Sequence, residues 1–322
     1  MKKLLVLFLF IVFINADELN KLYEEAQKLE NAGKYKESML LYKKIALQNK
    51  AKIDKVQFEI KKDEIIDEII DPIEDKETSQ TVEQILTSQF NVLPHHANYF
   101  LPYSHDDKEK RGRSQNEAKF QVSIKKPLLE NFFGFHEVFN LGYTHTAWWQ
   151  IYSDSSPFRE TNYKPEFFVT VPYGKSNKSA LKGYTLGLLH ESNGQSGLIS
   201  RSWNRVYLEG YFQTGNLFII PRAWYRIPED KKNDDNPDIH KYLGYGDLRF
   251  VYPYKSHTFK LLLRNNLNFD DNKGFAELDW TFPFFNSKNI FGYVQLSSGY
   301  GDSLIDYDTS INRFSFGISL SR

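Results

Sequence analysis

From about residue 90 to the C-terminus, apolar and polar side chains alternate with a period of two, and that pattern restricts the chain to β-structure. Phe259, Leu261, Leu263, Asn265, Leu267 and Phe269 share one face of their run, and Lys260, Arg264, Asn266 and Asn268 share the other. Ala276, Leu278, Trp280, Phe282 and Phe284 oppose Glu277, Asp279 and Thr281 in the same way. Phe314, Phe316, Ile318 and Leu320 alternate with Ser315, Gly317, Ser319 and Ser321. About twelve such runs succeed one another, near 92–103, 118–127, 134–151, 163–173, 181–192, 202–213, 216–228, 240–254, 257–269, 273–285, 288–299 and 311–321. An even number of strands near ten residues long, separated by turn residues, is what a closed transmembrane barrel requires. Closure follows because lipid offers no partner to an unpaired strand edge. A soluble β-sandwich is the alternative, but it would turn apolar residues inward. Here the inward set includes Arg222, Arg226, Arg249, Glu277 and Asp279. The expected fold is therefore all-β: a twelve-stranded antiparallel transmembrane β-barrel over residues 89–322.

Composition removes several function classes. A mean hydropathy of −0.53 excludes a bundle of transmembrane helices but not a barrel, whose strands are only half apolar. Aromatic residues at 16% fit a lipid-facing wall with interfacial girdles. Lys plus Arg and Asp plus Glu are both 41, so the basic excess of a nucleic-acid binder is missing. Cysteine is absent from the sequence, which removes disulfides, thiolate metal sites and cysteine nucleophiles together.

The chain opens MKKLLVLFLFIVFINA. Two lysines precede an apolar run too short to cross a bilayer, and Ala16 closes it. Residues 1–16 are expected to be a secretory signal peptide cut after Ala16; the alternative is an uncleaved anchor. Residues 17–88 form a separate region. Leu22, Ala26 and Leu29, then Tyr35, Met39, Tyr42, Ile45 and Ala46, recur at helical spacing on either side of Ala32-Gly33. A helical hairpin similar to a single tetratricopeptide-type repeat is expected over 18–49, with a charged helix and linker to residue 88. One repeat cannot bury its own face, so the hairpin serves either to dock a periplasmic partner or as a solvated spacer.

The segment 183–210, GYTLGLLHESNGQSGLISRSWNRVYLEG, carries the candidate chemistry. Strand alternation puts Tyr184, Leu186, Leu188, His190 and Ser192 on the lipid-facing side, and Thr185, Gly187, Leu189 and Glu191 on the other. A hairpin turning about Gly197 sets Asn204 opposite His190. Ser192, His190 and Asn204 then meet on one surface. A Ser hydroxyl needs a base to take its proton, an imidazole can act as that base, and a third group must hold the imidazole tautomer. An Asn carbonyl does this without placing a negative charge at a lipid-facing site. The Gly194 backbone N–H is a candidate oxyanion donor. A polar strand end at a barrel rim is the alternative reading.

HESNGQS followed by SRSWNR resembles the outer-membrane phospholipase A family. WWQIYSDSSPFRETNYKPEFF at 148–168, DDNPDIHKYLGY at 234–245, SGYGDSLIDYD at 298–308 and NVLPHHANYFLPYS at 91–104 resemble it too. The resemblance covers about residues 85–322. It implies a twelve-stranded barrel in the outer membrane, calcium-dependent hydrolysis of phospholipid acyl esters at sn-1, sn-2 or both, and activity as a homodimer. The implied roles are Ser192 as nucleophile, His190 as base, Asn204 as orienting group and Gly194 as oxyanion donor. The implied calcium ligands are the Gln195 carbonyl, the Ser200 hydroxyl and Ser155 from the partner subunit, with Ser156 as the alternative to Ser155. Gln195 stands where relatives carry Arg, and Gly197 where they carry Asp. His145 stands where they place a membrane-embedded Gln, which makes it a candidate for the dimer contact or for the rim. The last residue is Arg322 rather than an aromatic one. A non-catalytic pore or adhesin on the same scaffold is the rival function.

Overall fold

The computed structural model describes residues 16–45, 92–108, 113–230, 232, 234–285, 287 and 289–321. The expected signal peptide, apart from Ala16, and the linker up to residue 88 lie outside them.

The chain divides into two compact units, residues 1–64 and 65–322. In the first, helix α1 (Ala16–Asn31) and a second helix over 35–45 make the expected hairpin. The turn closes on Gly33, at φ 74°, a left-handed conformation that glycine adopts without a Cβ clash. Ser38 Oγ donates to the Ala26 carbonyl at 2.9 Å, and Tyr23 and Tyr42 pack edge to face at 5.6 Å.

The second unit is the barrel. A two-residue strand β1 (Leu93–Pro94) precedes twelve full strands: β2 (Tyr99–Asp106), β3 (Asn116–Glu130), β4 (Val138–Trp149), β5 (Phe158–Pro172), β6 (Leu181–Ser192), β7 (Ser202–Thr214), β8 (Leu217–Ile227), β9 (Gly246–Tyr254), β10 (His257–Asn265), β11 (Gly274–Pro283), β12 (Phe291–Tyr300) and β13 (Ser310–Ser319). Each pairs antiparallel with its neighbours. Pairing of β13 with β2 joins the last strand to the first and closes the ring.

The burial is inverted relative to a soluble protein. Tyr184, Leu186, Leu188, Leu208, Tyr225, Phe314 and Phe316 are exposed on the outer wall. Glu117, Lys119, Glu191, Arg205, Glu209, Asp247 and Arg313 are buried in the lumen. Glu117 receives Arg159 at 2.9 and 3.0 Å and Arg313 at 2.6 Å. Lys119 reaches Asp302 at 3.2 Å, and Arg205 reaches Glu191 at 2.5 Å. Buried charges are tolerated when paired in this way.

Two strands start well after the beginning of their expected runs, and in each the early part does something else. The run from 240 contains a helical turn, His240–Leu243, and β9 begins only at Gly246. Ile239 and Leu243 insert into an apolar cluster with Phe168, Leu189, Trp203, Trp224, Leu304 and Tyr307, and Gly244, at φ 64°, reverses the chain against the Asn265 carbonyl. The run from 92 likewise breaks at 95–98, where His95 turns into the lumen to Glu166, and β2 begins at Tyr99. The apolar cluster fills the end of the barrel where β6 finishes and β7 begins.

Candidate active site

His190 and Ser192 end β6 on its outward face, and Asn204 lies near the start of β7. The β6–β7 register pairs His190 with Asn204 and Ser192 with Ser202, as a turn about Gly197 requires. His190 Nδ1 and Asn204 Oδ1 are 2.8 Å apart. The far end of the same amide, Asn204 Nδ2, donates to Glu229 Oε1 at 3.0 Å. A carboxylate only accepts, so Glu229 decides which amide atom faces the imidazole. Asn204 then presents its carbonyl oxygen to His190, His190 Nδ1–H donates to it, and the lone pair of the ring remains on Nε2. Two residues along one strand face lie about 6.6 Å apart at Cα, so Ser192 stands next to His190 on the same surface. Ser192 Oγ makes no hydrogen bond among the described residues, and such contacts often form only when substrate is bound.

The loop joining the two strands, residues 193–201, is organised by Asn193, whose side chain is buried beneath it. Its amide donates to the Ile199 carbonyl at 2.8 Å, and its Oδ1 accepts from Arg201 N at 3.0 Å and Gln195 N at 3.3 Å. Gly194 has φ 64°, and a Cβ there would come within 2.9 Å of the Tyr163 ring. Both the backbone conformation and the close approach therefore require glycine.

Ser200, one of the residues expected to bind metal, lies on this loop. Ser200 Oγ donates to Asp235 Oδ2 at 2.6 Å on the exposed side of the loop. Asp235 belongs to a stretch that pins the β8–β9 loop to the site. Asp234 takes Arg226 at 2.5 Å, Asn236 Oδ1 accepts from Ser202 N at 3.0 Å, and Asp238 accepts from Tyr307 OH at 2.5 Å. Burial, with Asp238 beside it, pushes the Tyr307 phenol above its ordinary range, so that it stays a donor. Ser155 sits in the β4–β5 turn, exposed, at φ 58°. Its neighbour Ser156 spends its hydroxyl inside that turn, on the Ile151 carbonyl at 3.2 Å and the Ser153 carbonyl at 3.4 Å. Ser155 makes no side-chain hydrogen bond among the described residues.

His145 occupies the outer wall in the same hydrogen-bonding row as Ser192. Successive registers align Ser202, Ser192, Tyr163, His145 and Val122 in one row across β7 to β3. The His145 ring meets Tyr163 edge-on at 5.1 Å and stacks on Phe120 at 6.0 Å.

Asn193, Glu229, Asp235 and Tyr163 join the site without having been singled out in the sequence. Asn193, Tyr163 and Asp235 do fall within stretches that carry the resemblance, HESNGQS, WWQIYSDSSPFRETNYKPEFF and DDNPDIHKYLGY. Glu229 carries no local signal, because its partner lies 25 residues away.

A family model described as Phospholipase A1 matches residues 75–320. Phospholipase A1 of Salmonella typhimurium is 35% identical over 250 residues, covering 72% of this chain and 82% of its own length. Phospholipase A1 of Escherichia coli strain K12 is 35% identical over 248 residues, with the same shares. Outer membrane phospholipase A from Escherichia coli superposes with a TM-score of 0.66 at 33% identity, over 72% of this chain and 99% of that one. The Salmonella typhi outer membrane phospholipase, solved as a dimer with bound calcium, gives a TM-score of 0.68 at 32% identity, over 74% and 96%. With a closed twelve-stranded barrel and a match of this extent, the chain belongs to the phospholipase A1 family of outer-membrane β-barrel ester hydrolases.

Proposed function

We propose that this barrel is a calcium-dependent phospholipase, active as a homodimer, that cleaves phospholipid acyl esters at sn-1, sn-2 or both into fatty acid and lysophospholipid. The observation that carries the reading is the 2.8 Å contact between His190 Nδ1 and Asn204 Oδ1, with Ser192 beside it on the lipid-facing wall.

Ser192 Oγ attacks the ester carbonyl carbon while His190 Nε2 takes its proton. The carbonyl oxygen becomes an oxyanion, which the Gly194 N–H stabilises. As the C–O bond to the glycerol oxygen breaks, His190 returns the proton to that oxygen and lysophospholipid departs. Water, deprotonated by His190, then hydrolyses the acyl-Ser192 ester and releases fatty acid. Asn204 stabilises the imidazolium in both halves, and Glu229 places a negative charge one amide further back.

The Gln195 carbonyl, the Ser200 hydroxyl and Ser155 of the partner subunit are all oxygen donors, the class that suits calcium, and Asp235 adds a carboxylate beside Ser200. When bound, calcium supplies positive charge near the developing oxyanion. The unengaged hydroxyl of Ser155, compared with the occupied one of Ser156, favours Ser155 as the residue offered to a neighbouring molecule. His145, in the same hydrogen-bonding row as Ser192 and packed on Tyr163, is the polar group we place in the dimer contact. The pore reading is disfavoured because paired charged side chains occupy the lumen, Lys119 with Asp302 and Arg205 with Glu191 among them.

Fatty-acid release from phospholipid mixed micelles, with calcium and with chelator, for wild type and Ser192→Ala, tests the reading. Release that requires calcium and vanishes in the variant supports it. A folded, dimeric wild type that releases nothing would overturn it in favour of a pore or adhesin.

A further inference from the structure

A second cluster of ligand-type side chains lies inside the barrel, away from Ser192. His95, His96 and Glu166 place one ligand atom each within 4.8 Å of one another. His95 Nε2 is 2.7 Å from Glu166 Oε1, and His96 Nε2 is 4.0 Å from the same oxygen. Ligands on a tetrahedral ion with bonds near 2.0–2.1 Å stand about 3.3 Å apart, so side-chain shifts below about 1 Å complete the set. The supporting contacts are in place. Tyr207 OH donates to Glu166 Oε2 at 2.7 Å, and Phe168 stacks on the His95 ring at 4.9 Å. Outer groups of this kind orient metal-binding carboxylates and imidazoles.

Charge points the same way. The cations facing His96 are Lys164, Arg222 and Arg249. Each has its own carboxylate: Lys164 has Glu191 at 3.1 Å, Arg222 has Asp247 at 2.5 Å, and Arg249 has Glu209. Glu166, by contrast, has no Lys or Arg within 4.0 Å among the described residues; it meets two imidazoles and a phenol. A buried carboxylate facing two imidazoles supplies the charge that a cation held between them would need.

We propose that His95, His96 and Glu166 bind a divalent transition-metal ion of the imidazole-preferring class, such as Zn²⁺. The ion would tie the segment entering β2 to β5 on the barrel wall. Two nitrogen donors separate it from calcium, which takes oxygen.

Full-length protein in detergent, saturated with calcium, is titrated with Co²⁺ alone and followed by visible absorption. Wild type is expected to take up Co²⁺ with a visible band that Zn²⁺ displaces. His95→Gln and His96→Gln should each lose that band and bind at least tenfold more weakly. His190→Ala should keep it, which separates this site from the catalytic histidine. The His96→Gln variant guards against misfolding, since His96 makes no short contact with Glu166. Absence of a displaceable band in wild type, or equal uptake by folded His96→Gln, would overturn the proposal and leave the cluster as a hydrogen-bonded strut.

Discussion

Asn204 is held at both ends: its carbonyl oxygen lies 2.8 Å from His190 Nδ1, and its amide nitrogen lies 3.0 Å from Glu229 Oε1. Asn204→Ala should lower kcat by roughly 10²–10⁴ with little change in KM, because the imidazole loses its tautomer control. Glu229→Ala should cost less, about fivefold, near 1 kcal/mol. Asn204→Asp puts a carboxylate against Glu229, so it should be more active in a Glu229→Gln background than alone. Steady-state kinetics of the four proteins check this; additive effects would disconnect Glu229 from the site.

Ser200→Ala and Asp235→Asn act on one pair of oxygens. Both should raise the calcium concentration needed for half-maximal lipolysis, by about tenfold for the loss of one ligand or its support. The double variant should be little worse than the more severe single one. Calcium titrations of activity, ended by chelator, give the comparison.

Gly194→Ala should fold and still lose about 10²-fold in kcat. A Cβ at that position approaches Tyr163 to 2.9 Å, which displaces the N–H from an oxyanion of fixed position. A Tyr163→Ala companion should restore part of the rate if the close approach is the cause.

For His145, in the row of Ser192 on the outer wall, the expected effect is on assembly rather than chemistry. His145→Ala should shift the protein concentration at half-maximal activity upward several-fold and leave kcat at saturation unchanged. Sedimentation in detergent, read beside activity, separates the two.

Arg313 serves Glu117, Asp302 and Ser104 inside the barrel. Arg313→Met takes one cation from Glu117 and Asp302, which keep Arg159 and Lys119, and should destabilise the barrel by about 1–3 kcal/mol. Urea unfolding of the two proteins in the same detergent measures it. Asp302 makes that loss depend on pH. Burial would raise its carboxyl, but Lys119 and Arg313 hold it below the usual range. Its stabilisation is present above the unfolded value, near pH 4, and is lost as pH falls below that.

The alternation of side chains determined which residues face lipid, because a strand's period is a local property of its own backbone. Leu186, Leu188 and His190 follow it, and the pairing of His190 with Asn204 follows from a hairpin centred on Gly197. The closed barrel was legible because lipid offers an open strand edge no partner, and the two N-terminal helices because their apolar residues recur at helical spacing. What the alternation could not reveal was any contact that depends on ring closure. Glu117 meets Arg313 across 196 residues of sequence, and Asn162 reaches the backbone of Leu304 across 142. Leu243 leaves the expected strand because the barrel end offers it, together with Ile239, an apolar cluster. Glu229 and Asp235 arrive at the site on a loop from the next hairpin. Sequence alone thus determined the faces and the neighbours. Closure decided which charges meet in the lumen and which loop residues meet at the site, because only a closed ring brings strands distant in the chain within hydrogen-bonding reach.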